Sequence, residues 1–294
     1  MSCSPAATSG SGRSSSASPA FAGGDPRSSR PVTTARSLIQ SEGLGRSMDQ
    51  FESKDRLIAG VSFDIPGMGY KDPRTGAIEG FEPDLARAIA QDIFGAPDRV
   101  DFHQVHDAGR IQALQDHAVD MVISQLTITP DRAEQVLFST PYCVTGEAIL
   151  VPTDSTIERF EDLAGKRIAV TAGSVSIRRM QAALPSLPGA TLVVTPLSAG
   201  NLEAVAKGEA DAASNDLINL TLMQRRADHP ERYRIIDIGK RFDPKPFGAA
   251  VEKSRHALVA RLNQAIERLK ANGEIDRLLD AALAGAGSRA APPD

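Results

Sequence analysis

The residue best placed to do chemistry is Arg132, in the stretch LTITPDR at 126–132. Thr129 suits a helix N-cap and Pro130 the first helical position, so a helix is predicted to begin where an apolar run ends. Arg132 then stands in the first turn, where backbone N–H groups lack partners and the helix dipole is positive. A cation there is unfavourable for the helix alone, but with an incoming anion it becomes a bidentate carboxylate clamp. The competing reading is a surface arginine paired with Asp131 or Glu134, which would contribute little. Two other places have a related character. Gly173 to Ser176 (GSVS) opens a predicted helix and so offers free amides to an anion. Asp216, in ASNDLIN, lies between a buried strand and a helix, where capping the helix and binding a ligand are compatible roles.

Other chemistries find no support. There is no GxxxxGK[ST], and GMG at 67–69 lacks the third glycine of a dinucleotide loop. No GxSxG loop or Ser-His-Asp spacing points to a hydrolase. The five histidines form no HExxH, and His103 and His106 read as a solvated strand end. No metal and no cofactor is expected. The two cysteines, Cys3 and Cys143, are too differently placed for a structural disulfide, and Cys143 reads as a small buried hydrophobe. A net charge of −4 calls for neither nucleic acid nor an acidic membrane surface. No apolar run approaches a transmembrane span.

These residues need a scaffold, and 294 residues with 41% hydrophobic content can build one. From Leu57 onward strands and helices alternate. RLIAGVSF (56–63) and RVDFHQV (99–105) read as strands, PDLARAIAQDIF (83–94) and GRIQALQDHA (109–118) as helices, and DMVIS (120–124) as a buried strand of the parallel kind. A second unit follows, with strands at 147–151, 166–172, 191–195, 211–214 and 232–238, and helices at 174–184, 201–208 and 217–226. FGAAV (247–251) starts a last strand, and helix runs from Ser254 to Leu283 with a break at Asn272-Gly273. Two α/β units of this size imply two lobes and a ligand cleft between them. Ten of the first thirty residues are serine, so 1–46 is expected to be a disordered tether.

Four stretches carry a family resemblance: GFEPDLARAIA (80–90), DMVISQLTITPDRAEQVLFSTPY (120–142), FEDLAGKRIAV (160–170) and ANGEIDRLL (271–279). In order and spacing they resemble extracellular solute-binding proteins that deliver polar amino acids to ABC importers, over roughly residues 55 to 285. FDIPGMG (63–69) resembles in particular the glutamate-binding branch found in actinobacteria. Pro83 departs from the family, which usually has an apolar residue between the two acids. The resemblance implies a two-lobed periplasmic-binding-protein fold of type II. Lobe one would comprise 55–141 and 247–285, lobe two 147–240, and 286–294 a flexible tail. It places the clamp on Arg132, a carboxylate-binding amide on Thr127, and a main chain facing the ligand ammonium on Gln125. Second-lobe amides fall on Ser174 and Val175, and the ammonium-binding acid on Asp216. Arg110 falls where members that bind glutamate and aspartate carry an arginine, and Asp64 lies in the ligand-facing loop. A histidine used by other glutamate-binding members is Ser198 here.

The function implied is capture of a polar amino acid, glutamate or aspartate, by hinge closure, with an ABC permease and ATPase as membrane partners and a monomeric state. A cleft enzyme is the alternative, because some relatives on this fold are prephenate or arogenate (cyclohexadienyl) dehydratases. Aromatic residues make up only 4% and tryptophan is absent, which favours a small polar ligand over a ring. A receptor sensor domain would need a membrane span. At the N-terminus, Ser2-Cys3 resembles the junction of a bacterial lipoprotein without its hydrophobic region, so Cys3 is either a lipid anchor on the outer face of the membrane or a stray cysteine.

Overall fold

The computed structural model describes residues 54–285, so the 1–46 segment, Cys3 and the tail from 286 lie outside the described residues. Two five-stranded sheets organise the chain. In the first, Leu57–Val61 is flanked in parallel by Val100–Gln104 and by Met121–Val122. Ala250–Glu252 and Val136–Phe138 complete it, paired antiparallel. In the second sheet Arg167–Thr171 has parallel neighbours at Thr191–Thr195 and Ala212–Asp216. Glu147–Pro152 and Tyr233–Asp237 close it antiparallel. Both sheets thus place their earliest parallel strand between two others, with helices on the faces. That is why LIAGV and IAV are apolar without alternation.

Helix α1 (Phe81–Phe94) buries Phe81, Leu85 and Ile89 at four-residue spacing and stops at Gly95, whose φ of 78° only glycine adopts at little cost. Pro83 fits because the first turn has no intrahelical acceptor for its missing N–H. Helix α2 is shorter than its sequence suggests, Arg110–Gln115, and the chain turns away at His117 with φ 55°. Helix α3 is the single turn Pro130–Ala133. Helices α4 (Val175–Ala183), α5 (Ala199–Ala206) and α6 (Leu217–Arg225) belong to the second sheet. Helices α7 (His256–Ala271) and α8 (Glu274–Ala284), separated at Asn272-Gly273, return to pack on α1.

The FGAAV stretch is divided rather than one strand. Lys245–Phe247 pairs antiparallel with Cys143–Thr145, and Ala250–Glu252 joins the first sheet. Gly248 lies between them because a Cβ there would come within 2.9 Å of Ile128 Cδ1. This two-stranded ribbon is where the chain leaves the first lobe and comes back. A hairpin of three short strands (64–65, 69–71 and 78–79), not foreseen from the sequence, extends the first lobe toward the second.

The lobes touch. Arg178 pairs with Asp131 at 2.7 Å, and Arg225 and Arg226 donate to the carbonyls of Leu283 and Ala282 at the end of α8. One hydrophobic cluster includes Leu85, Ile89 and Leu262 of the first lobe together with Leu220 and Leu222 of the second. A smaller cluster around Ile149, Phe160, Val170 and Met180 belongs to the second lobe alone. Cys143 is buried, whereas His103 and His106 are exposed. Among the described residues no helix is long and apolar enough to cross a membrane.

Candidate functional site

The stretch from Gln125 to Arg132 is fastened between the first sheet and the ribbon. Ile128 N–H donates to Pro246 O at 2.8 Å, and Gly248 N–H to Leu126 O at 3.2 Å. Thr127 faces Phe247 between those bonds as a non-hydrogen-bonded antiparallel pair. In such a pair both main-chain groups of a residue point away from the partner strand, on one side. On that side Arg132 Nη1 donates to Thr127 O at 2.9 Å, and Nη2 crosses to Gly173 O of the second lobe at 3.0 Å. The Thr127 amide therefore faces the same space as the guanidinium.

Arg132 is buried and has only carbonyls as hydrogen-bond partners. Desolvation first, then the charges of Arg110 and Arg178, push it down to about 9. A guanidinium keeps its proton in proteins. The depression therefore expresses a buried cation that Asp107 and Asp131 only partly compensate, which an anion would relieve. Arg110 is 2% exposed, so it is no surface arginine. Its Nε donates to Asp107 O at 3.2 Å, Nη1 donates to Ser124 O, and Nη1 lies 3.4 Å from Asp107 Oδ1.

Gln125 takes a left-handed φ of 44°, uncommon for a residue with a Cβ. Glu82, the second residue of α1, holds it there. The carboxylate accepts from the Gln125 backbone N–H at 2.6 Å, from Gln125 Nε2, and from the Tyr142 hydroxyl at 2.5 Å. Burial pushes Glu82 up to about 7, with those three donors opposing it.

In the second lobe Gly173 has φ 77° and lies against Asp107 and Ala108 of the first lobe. Ser174 caps α4, its hydroxyl accepting from Ile177 N–H at 3.2 Å. The Ser174 N–H expected to meet a carboxylate is instead spent on Thr171 O at 3.2 Å, whereas the first-turn amides of Val175 and Ser176 have no intrahelical acceptor. Asp216 stands at the N-cap of α6, yet its carboxylate does not cap the helix. Oδ1 lies 3.0 Å from Lys245 Nζ in poor hydrogen-bonding alignment, and Asn219 Nδ2 approaches Oδ2 at 3.5 Å. Burial raises its pKa, Lys245 opposes, and Glu147 and Asp107 add to the rise. A buried carboxylate with so little hydrogen bonding has room for a donor.

Asp64 does not pair with Arg110. Its Oδ2 accepts from Ala199 N–H at the start of α5, 3.1 Å away in the other lobe. Burial raises its pKa against that amide bond, and the charge of Asp107 raises it further. Ser198 is tied to Thr171 and Asn215 in a buried polar cluster and presents no histidine-like contact.

Of the residues expected from the sequence, the structure brings Arg132 onto the carbonyls of Thr127 and Gly173, sets Arg110 within electrostatic reach of Arg132, and sets Asp216 within reach of Asp107 of the opposite lobe. Sequence reasoning missed Glu82, Asp107 and Lys245. Glu82 had a signal, since it shares the buried α1 face with Ala86 and Ala90 at four-residue spacing. Lys245, in DPKPFG, reads as a loop charge and had none. Among the described residues no group of three or more His, Cys, Asp or Glu could hold a metal ion.

Two α/β lobes joined by a ribbon define a two-lobed binding protein of type II. Residues 57–283 match the bacterial extracellular solute-binding proteins, family 3, and the chain belongs to that family. It is 31% identical over 228 residues to the ABC transporter glutamine-binding protein GlnH of Bacillus subtilis, covering 77% of this chain and 81% of that one. It is 28% identical over 230 residues to the glutamate-binding protein GluB of Corynebacterium efficiens, with 75% and 76% covered. The crystal structure of AncCDT-1, an ancestral amino acid-binding protein and precursor of cyclohexadienyl dehydratase, superposes with a TM-score of 0.68 at 31% identity, covering 81% of this chain and 99% of that one.

Proposed function

We propose that the protein captures a polar amino acid outside the cytoplasm and presents it to the membrane components of an ABC importer. The observation that carries this reading is the pair of incompletely satisfied charges on opposite lobes. Arg132 is a buried cation with only carbonyl partners, and Asp216 is a buried carboxylate with a poorly aligned one. An α-amino acid has the complementary charges at one carbon, so it would bridge the lobes and stabilise their contact. The Thr127, Val175 and Ser176 amides would complete the carboxylate site. The names of GlnH and GluB support the ligand class.

The side chain we assign is acidic, glutamate or aspartate, because Arg110 is a second buried guanidinium within electrostatic reach of Arg132. A neutral side chain such as glutamine is the second reading, favoured by the 3.4 Å approach of Asp107 to Arg110, which already compensates that charge. We further assign anchoring on the outer face of the membrane through a lipid on Cys3, and a monomeric state.

The test is a thermal-shift screen of the purified protein against the twenty amino acids and prephenate, since a ligand that binds only the folded state raises its melting temperature. Glutamate or aspartate should give the shift, and Arg132→Ala should abolish it. Arg110→Ala should selectively weaken acidic ligands, by about 1.5–3 kcal/mol for a lost charged hydrogen bond. A shift with glutamine alone would leave the transport reading intact and remove the role given to Arg110. A shift with prephenate alone would move the assignment to a dehydratase.

A further inference from the structure

Lys245 lies on the returning strand of the ribbon and is 1% exposed. Its ammonium sits 2.6 Å from Glu147 Oε2, 3.0 Å from Asp216 Oδ1 and 2.8 Å from Ser176 Oγ. A lysine ammonium has three N–H groups and strong hydration to give up on burial. Here Glu147 Oε2 and Ser176 Oγ replace part of that water, and Asp216 Oδ1 stands within ion-pair distance. Ser176 belongs to the first turn of α4, Asp216 ends the strand leading into α6, and Glu147 begins the strand just past the outgoing half of the ribbon. Both ligand-facing elements of the second lobe are therefore tied to one side chain of the hinge. Glu147, itself fully buried, has support of its own from Ser214 Oγ at 2.8 Å and Arg179 Nη1 at 3.5 Å.

Resting on the assignment of Asp216 to the ligand ammonium, we propose that Lys245 is a positioning residue that holds Asp216 ionised and aimed into the cleft. The groups facing Asp216 make the case. Lys245 comes from the ribbon, Glu147 from the adjoining strand, Asp107 from the opposite lobe, and Asn219 from α6. Two of the three charged neighbours are acids, and burial also disfavours the carboxylate. Lys245 is the cation that opposes them. Without it a protonated Asp216 would be neutral, leaving a hydroxyl donor and a carbonyl acceptor that lacks the charge to pair an ammonium strongly. Lys245 approaches Oδ1, leaving Oδ2 with only the long Asn219 contact for a ligand N–H to improve on.

The experiment is calorimetric titration of the full chain with the amino acid that gives the largest thermal shift, from about pH 5.5 to 8.5. If Asp216 must be ionised to bind, affinity falls about tenfold per pH unit below its pKa. In Lys245→Met that fall should begin at a higher pH than in the wild type, with affinity recovering in alkaline buffer. Glu147→Gln removes an acid that both raises Asp216 and shares the ammonium, so its fall should begin at a lower pH. Should Lys245→Met fail to fold, Lys245→Gln, which removes the charge but keeps a donor for Glu147 and Ser176, takes its place. A loss equal at every pH, an unmoved profile, or an upward move in Glu147→Gln would overturn the proposal while wild-type binding stands. A wild type that binds no amino acid would remove the functional reading and this one with it.

Discussion

Replacing Gly173 by alanine tests whether the lobe contact is part of binding. A Cβ at Gly173 would lie 2.6 Å from Ala108 Cα and 2.7 Å from Ala108 N, both backbone atoms of the other lobe. Optimal carbon contacts are about 3.5–4.0 Å, so the lobes would have to stand roughly 1 Å further apart at this point. The same shift would stretch the 3.0 Å bond from Arg132 Nη2 to Gly173 O, a charged hydrogen bond of about 1.5–3 kcal/mol. The φ of 77° adds about 1–2 kcal/mol for any residue with a Cβ, a cost borne whether the lobes are together or apart. Gly165→Ala provides the control, because Gly165 has φ 72° and nothing within 4 Å of its Cβ position. Both variants should lose similar melting temperature without ligand, but only Gly173→Ala should lose affinity, by about ten- to a hundredfold on the hydrogen-bond term alone. Calorimetry reads the affinity. Small-angle scattering reads the separation of the lobes, since a chain without tryptophan has no indole fluorescence to follow. Equal affinity in the two variants, with the wild-type radius of gyration on adding ligand, would refute the reasoning.

Two further outcomes follow from buried acids. Glu82 has a folded-state pKa raised to about 7 from 4.5, so its protonated form is favoured by folding. Its contribution to stability is fully present below pH 4.5 and is lost as pH rises to about 7, by at most about 3 kcal/mol for a shift of this size. Glu82→Gln should flatten that part of the profile in denaturant titrations at several pH values, and should cost about 1–3 kcal/mol at low pH by leaving a donor of Gln125 or Tyr142 unpaired. An unchanged slope would show that Glu82 does not titrate there. Asp64→Asn keeps an acceptor for Ala199 N–H and removes a charge beside Asp107. It should tighten an acidic ligand and weaken a basic one, each by about 1 kcal/mol at partly screened distances. Equal shifts of the same sign for both ligands in calorimetry would exclude an electrostatic role.

Local rules determined much of this protein. Alternation of apolar runs with amphipathic segments was enough for an α/β chain in two units, because buried parallel strands and core-facing helices each need their own apolar period. The helix start at Pro130, the Gly173 loop and the Asn272-Gly273 break were equally readable, since helix starts and left-handed turns depend on a few adjacent residues, although the Thr129 hydroxyl makes no capping bond. Sequence also singled out Arg132, whose charge conflicts with its place at a helix start. It could not tell that Arg110 is buried, because exposure is decided by what packs over a helix from elsewhere. Nor could it see that Asp64 would meet the start of α5, 135 residues away. The division of FGAAV into a hinge strand and a sheet strand depended on Ile128 lying against Gly248. Lys245 and Glu147 are nearly a hundred residues apart, and each alone reads as an ordinary surface charge. Only the tertiary structure buries them together, because an ion pair in the interior exists only once both partners have lost their water.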